Sequence, residues 1–190
     1  MYKAVIFDFF DVIHRDYQKA WLKQHGYKRE GGFAEASDLC DLGHISYRDY
    51  IERFAKLGGQ TPAQVEQEFR TLSKIDDAIV LLVGNLHSHY RTGLISNAHN
   101  EEIRPILERH DLTALFDEIV ISSEAGVTKP NARIFQLTMK LLKIKPSETI
   151  FIDDNPANVV AADALGIASI CYESAPKLHS ELKKLKMKID

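Results

Sequence analysis

The hydrophobic pattern of the chain changes its period along the sequence. Ala4-Val5-Ile6-Phe7 is a short, partly β-branched apolar run, suited to a buried parallel strand and too short for a helix core. From about Arg15 to Lys74 the period is helical and no strand pattern occurs. Residues 17–25 read as a helix stopped by Gly26, and 33–42 as a second ended by Gly43. Ser46 is an N-cap for a third, with Asp49 in its first turn, Tyr50, Ile51 and Phe54 as its apolar stripe, and Gly58-Gly59 as its stop. Thr61-Pro62-Ala63-Gln64 joins a capping box to a proline at the first helical position, and so starts a fourth helix running to about Leu72.

After this the pattern alternates. A helix is expected over 77–90, with Ile79, Leu82, Val83 and Leu86 on its apolar face, then a strand over 92–95 ending at Ser96-Asn97. The next helix should start near Arg104-Pro105, because proline is best tolerated in a first turn. A strand over 118–121, a helix over 131–142 and a strand over 149–152 ending at Asp153-Asp154 follow. A helix over 156–165 stopped by Gly166, a strand over 168–171 and a basic helix over 176–186 close the pattern. Strands separated by helices of this length predict right-handed βαβ units, hence an α/β protein with a mainly parallel sheet and helices on both faces. Four short helices between the first strand and the next read as an inserted helical module.

Composition narrows the classes. A chain of 190 residues holds one domain, or one domain carrying a smaller insert, and its 45% hydrophobic and 27% charged content is that of a globular protein. A formal net charge of -3 gives no reason to expect a nucleic-acid partner, and no apolar run approaches the ~20 residues that cross a bilayer. The N-terminus does not fit a signal peptide, and Cys40 and Cys171 lie far apart without a CxxC, so a reduced, cytoplasmic setting is expected. His87 and His89 would point to different faces of a helix, which favours a structural role over a metal site.

The strand ends carry the chemistry. Asp8, Ser96 and Asp153-Asp154 all come at carboxyl ends of predicted strands, where ligands bind in open α/β sheets, and Lys129-Pro130 opens the helix between the last two. Singly, each has a bland reading: Asp8 and Ser96 as turns, Lys129 as a solvated charge, the acidic pair as a helix cap. Together, an Asp nucleophile, a hydroxyl, a lysine and an acidic pair are what phosphoryl transfer needs. Carboxylates hold Mg²⁺, while Lys and Ser neutralise and orient the phosphate.

These residues resemble the haloacid dehalogenase superfamily, a group of mostly Mg²⁺-dependent phosphatases. The four motifs stand as Phe7-Asp8-Phe9-Phe10-Asp11-Val12, Leu94-Ile95-Ser96-Asn97, Val127-Thr128-Lys129-Pro130, and Ile150-Phe151-Ile152-Asp153-Asp154-Asn155-Pro156-Ala157-Asn158, in the family's order. The resemblance covers essentially the whole chain. It implies a Rossmann-like three-layer α/β/α core made of residues 1–13 and 76–190, with a helical cap at 14–75 closing over the site. It further implies that Asp8 is the nucleophile, forming an aspartyl-phosphate. Mg²⁺ would be held by Asp8, Asp154 and the Phe10 carbonyl, and phosphate by Ser96, the Asn97 amide and Lys129. Asp153 would orient Lys129 or a metal-bound water, with Asn158 beside it in a place often held by an acidic residue.

One position departs from the pattern. Family phosphatases usually carry a second Asp two residues after the nucleophile, which protonates the leaving group and later activates water; here that residue is Phe10. Asp11 is adjacent, but successive side chains on an extended strand point to opposite faces, so it could serve only if the backbone bulges. His14 near the cap hinge is a substitute proton donor to test. Three readings follow: a phosphatase for a small phosphorylated substrate such as a sugar phosphate, a metal-free dehalogenase, and a catalytically weak binding or regulatory protein. The dehalogenase reading needs a cap arginine for the substrate carboxylate, with Arg15, Arg48 and Arg53 as candidates, and is opposed by the acidic pair. Tyr17, Trp21, His44 and Tyr47 are the cap residues to place, as substrate contacts or as cap core.

Overall fold

The structure, a computed structural model, describes residues 1–189. Five parallel strands form one sheet in the order β3-β2-β1-β4-β5. They are β1 (Ala4–Phe7), β2 (Arg91–Ser96), β3 (Glu118–Ile121), β4 (Thr149–Asp153) and β5 (Ala168–Cys171). β1 is central, with Phe7 in register with Leu94 of β2 and Ile152 of β4. That register brings Asp8, Ser96 and the Asp153-Asp154 pair to one rim.

Both faces of the sheet are covered, which is why β1 is apolar throughout instead of alternating. Val5, Phe7, Leu94, Ile150 and Ile152 pack in one buried cluster with α5 (Asp77–His87), α6 (Asn100–Arg109) and α10 (Ala175–Lys184). Ile6, Ile95, Val120 and Phe151 face the other way, onto α8 (Ala132–Leu142) and α9 (Pro156–Asp163). This is a Rossmann-like three-layer α/β/α core.

Between β1 and α5 lie the four expected helices: α1 (Tyr17–Gln24), α2 (Gly32–Asp41), α3 (Tyr47–Gly58) and α4 (Pro62–Leu72). The Ser46 and Thr61 capping boxes are both formed, and Gly59 ends α3 in the left-handed conformation. Trp21 is the centre of this unit. It is fully buried, with the rings of Phe54, Phe33 and Phe69 at 5.7, 6.0 and 6.1 Å. Its ring lies so close over Gly58 that a Cβ there would sit 2.7 Å from it. The apolar cluster runs on without a break through Tyr17, Ile13 and Phe9 into the sheet face.

The helical unit also meets the α/β core at its hinge and at its far end. Its entry and exit run side by side: the Asp76 amide donates to Ile13 O at 2.9 Å and the Arg15 amide to Lys74 O at 2.8 Å. At the far end Gly43, with φ +72°, lies against the carbonyl of Ser123, and the Ser122 hydroxyl donates to Asp41 O at 2.5 Å. No helix among the described residues is long and apolar enough to cross a membrane.

Two elements differ from the expected pattern. The sixth helix starts at Asn100, not near Pro105, which sits inside it on the exposed side. His99 caps it, accepting from the Glu101 amide while the Glu102 carboxylate accepts from the His99 amide. His is outside the usual capping set, so the start was hidden, and burial of Ile103, Ile106 and Leu107 offsets the hydrogen bond that Pro105 cannot donate. The one-turn helix α7 (Ser122–Ala125) is too short to show a period.

Candidate active site

Asp8 leaves the end of β1 into a cavity of about 660 Å³ between the sheet rim and the helical unit. Its Oδ1 is held twice, by the Phe9 amide at 2.6 Å and by Lys129 Nζ at 2.6 Å, which leaves Oδ2 without a hydrogen bond among the described residues. Lys129 forks: Nζ also reaches Asp153 Oδ2 at 2.7 Å and Ile95 O at 3.1 Å. Burial pushes the Asp8 carboxyl up, and the Lys129 ammonium opposes that rise. The lysine itself is desolvated, yet the two carboxylates raise its pKa and keep it charged.

Lys129 is aimed by its backbone. The Asn97 carboxamide clamps it from both ends, Nδ2 donating to Lys129 O at 3.0 Å and Oδ1 accepting from the Lys129 amide at 2.8 Å. Of the two Asn97 amides, the main-chain N–H is therefore the one left for an anion. Ser96 ends β2 fully buried, and its hydroxyl has no hydrogen-bond partner among the described residues. Ser96 itself does not line the cavity, but its neighbour Asn97 does, and a buried hydroxyl without a partner is a group that calls for one.

The two aspartates at the end of β4 divide the work. Asp153 is fully buried and saturated. Besides Lys129 it accepts from the Asn155 amide at 2.8 Å, and Asn158 Nδ2 donates to both its oxygens at 3.0 Å. Asp154, half-buried on the cavity wall, makes no hydrogen bond or ion pair through its carboxylate among the described residues. Burial raises its pKa, and the charges of Asp153 and Asp11 add to the rise. One oxygen each from Asp8, Asp153 and Asp154 lie within 4.8 Å of one another. With Asp153 committed to Lys129 and Asn158, Asp154 and the second oxygen of Asp8 are left for a hard divalent cation, and among the described residues the Phe10 carbonyl accepts no hydrogen bond. The donors present fit Mg²⁺.

At Asp11 the backbone does turn. Asp11 has φ +56°, so its side chain reaches the cavity, where Oδ2 pairs with Lys19 Nζ at 2.6 Å and Oδ1 accepts from the Asp16 amide at 3.0 Å. Phe10 lines the same cavity, its ring edge-on to His14 and Tyr17. His14 is no proton donor for this site. Its ring is buried in the hinge, with Nδ1 on Arg15 O at 2.6 Å and Nε2 on Ser73 Oγ at 2.7 Å, and burial lowers its pKa to about 4.

The helical unit puts on the cavity a different set of side chains from the residues that the sequence left open between core and substrate contact. Tyr17 and Trp21 are core, and His44 and Tyr47 do not line it; nor do Arg15, Arg48 and Arg53. Lys19, Lys23, Tyr27, Lys28 and Arg29 do, with Arg29 tied to Asp38 at 2.9 Å and Asp41 at 3.5 Å. The only sequence signal for them is the helical spacing of Lys19 and Lys23, and it does not say which side of α1 meets the core. Two acids complete the wall. Burial raises Glu102 to about 8 and Asp41 to about 7, and the Glu102 carboxylate accepts a hydrogen bond from Tyr17.

Comparison with known proteins fixes the family. Residues 5–172 match the haloacid dehalogenase-like hydrolase family. The chain is 27% identical over 135 residues to (S)-2-haloacid dehalogenase 1 of Pseudomonas sp. (strain CBS-3), covering 64% of this chain and 60% of that protein. It is 28% identical over 108 residues to glyceraldehyde 3-phosphate phosphatase of Methanothermobacter thermautotrophicus, covering 56% of this chain and 48% of that one. The alignments thus span less than two thirds of these relatives' length. Among solved structures, a HAD-family enzyme of Bacteroides thetaiotaomicron in complex with magnesium and inorganic phosphate superposes with a TM-score of 0.72 at 20% identity, over 91% of this chain and 95% of that one. Sheet order, rim residues and family match converge: the chain belongs to the haloacid dehalogenase-like hydrolases.

Proposed function

We propose that the protein is a Mg²⁺-dependent phosphomonoesterase for a small phosphorylated metabolite, a sugar phosphate being the model substrate. Residues 14–75 act as the cap on a core of 1–13 and 76–190. The two distant, unpaired cysteines suit a reducing cytoplasm. The observation that carries the reading is the Asp154 carboxylate, unpartnered beside Asp8 while Lys129 is taken by Asp8 and Asp153. A bound Mg²⁺, held by Asp8, Asp154 and the Phe10 carbonyl, would supply charge neutralisation for the phosphate. The Asp8 carboxylate attacks phosphorus in line, forming the aspartyl-phosphate as the ester's P–O bond breaks, and the leaving oxygen departs as an alkoxide that takes its proton from water. Ser96 Oγ, the Asn97 N–H and Lys129 hold the phosphate oxygens, and Lys129 lets two anions approach. Water then attacks phosphorus, releasing inorganic phosphate and restoring Asp8. Phe10 offers no proton at either step, so turnover is slow with poor leaving groups.

The test is phosphate release from a panel of small phosphate esters, with and without Mg²⁺, by wild-type and Asp8→Asn protein. Release should require Mg²⁺ and vanish in the variant; unchanged release by Asp8→Asn would sink the mechanism. Mg²⁺ binding without release from any ester would make the protein a binding or regulatory member. A second reading draws on the aromatic Phe10 and the Pseudomonas dehalogenase. Under it, Asp8 displaces halide from a 2-haloacid without metal, and halide release from 2-chloropropionate in EDTA would establish it.

A further inference from the structure

Charge on the cap wall of the cavity is unevenly compensated. Lys129 is consumed by Asp8 and Asp153, Lys19 by Asp11, and Arg29 by Asp38 and Asp41. Lys23 and Lys28 line the same cavity and make no ion pair among the described residues. Lys23 lies one helical turn beyond Lys19 on α1, so both project from one face. Lys28 follows in the loop after that helix, between Tyr27 and Arg29, both of which also line the cavity. The cavity has room for more than a phosphate: 660 Å³ falls in the range of about 300–1,000 Å³ that encloses whole small molecules. The phosphate end is fixed at the sheet rim by Asp8 and Lys129, so whatever hangs from it extends towards the cap.

We propose that Lys23 and Lys28 form a second anion site on the cap wall, and that the substrate is a phosphomonoester carrying a second anionic group, a carboxylate or another phosphate, at its far end. This rests on the phosphatase reading and deepens it. Substrates ending in a neutral hydroxyl leave both ammonium groups with water alone, while a distal anion gains two ion pairs. Arg29 stands next to them, and its planar fork suits a carboxylate or phosphate that draws it from Asp41.

The experiment measures equilibrium binding by calorimetry, with Mg²⁺ present, to the Asp8→Asn protein, which does not consume its ligand. Two matched pairs are used: sorbitol 6-phosphate against 6-phosphogluconate, and fructose 6-phosphate against fructose 1,6-bisphosphate. The ligand with the distal anion should bind about ten-fold tighter than its neutral partner, the worth of two partly exposed ion pairs. That ratio should collapse when Lys23→Ala and Lys28→Ala are added, return with Lys23→Arg and Lys28→Arg, and shrink with added salt. The pair with the larger ratio identifies the distal group as carboxylate or phosphate. Equal binding within both pairs, or a ratio indifferent to the lysine substitutions, overturns the second site and leaves the phosphatase reading standing. Binding of none of the four ligands overturns both.

Discussion

Phe10 stands on the cavity wall two residues beyond Asp8. The ring faces the cavity and packs on His14 and Tyr17 with centroids 5.7 and 5.8 Å away. Phe10→Asp places a carboxyl two residues from the proposed nucleophile, and under that reading we expect kcat/KM for alkyl phosphates to rise by about 10²–10⁴-fold, the usual worth of a general acid–base group. The gain should be far smaller for p-nitrophenyl phosphate, whose leaving group needs no proton. Lost ring packing lowers stability, by a fraction of the ~3–5 kcal/mol that truncating a fully buried Phe costs. A leaving-group series and a denaturation curve check both parts; lower stability without a changed series would refute the chemical role of the position. The residues at strand ends were legible beforehand because their meaning depends only on where an apolar run stops. Asp8, Ser96 and Asp153-Asp154 are of this kind, and Lys129, in the loop before α8, was legible from its motif. Lys23 was not, since only the docking of α1 decides which of its faces meets the cavity, and Tyr27 and Lys28 follow it in a loop that carries no period. Asn158 lies between: its place in the motif was visible, but its grip on both oxygens of Asp153 needed coordinates.

Elements matter here through their junctions. The cap helices were readable from their own capping chemistry at Ser46 and Thr61, whereas the helix holding Pro105 was misplaced because tertiary burial overrode a strong local signal. The contact between cap and core at Gly43 was invisible in the same way: the glycine reads as a helix stop and also lets two backbones touch. A Cβ there would lie 2.8 Å from the Ser123 carbonyl. Gly43→Ala should therefore destabilise by more than Gly59→Ala, which shares a positive φ of +65° but has nothing within 4 Å. The second variant carries only the backbone cost, about 1–2 kcal/mol. Amide exchange at Ser122 and Ser123 should rise in the first variant alone. Equal losses in denaturant midpoint would show that the seam yields without strain.

For the molecule as a whole, cap and core share one apolar cluster and one buried polar seam, so they respond to pH together. Glu102 on the core helix accepts from Tyr17 of the cap, close to Tyr47, Asp41 and Asp16, and burial lifts its carboxyl from 4.5 to about 8. The folded state then holds a proton that the unfolded chain releases. Between about pH 4.5 and 8 this group makes stability fall as pH rises, and above about 8 its penalty is complete. Glu102→Gln keeps an acceptor for Tyr17 and cannot ionise. The stability difference between variant and wild type should grow in the variant's favour from pH 5 to pH 9; a difference independent of pH would show that Glu102 does not titrate in that window. The side-by-side entry and exit have a consequence of another sort. Because Ile13 and Asp76 are already hydrogen-bonded neighbours, the chain between them leaves and re-enters the core through a single doorway. A gene can lengthen, shrink or exchange that interval without re-threading a strand, so the sheet rim and the helical wall facing it are free to evolve as separate inheritances.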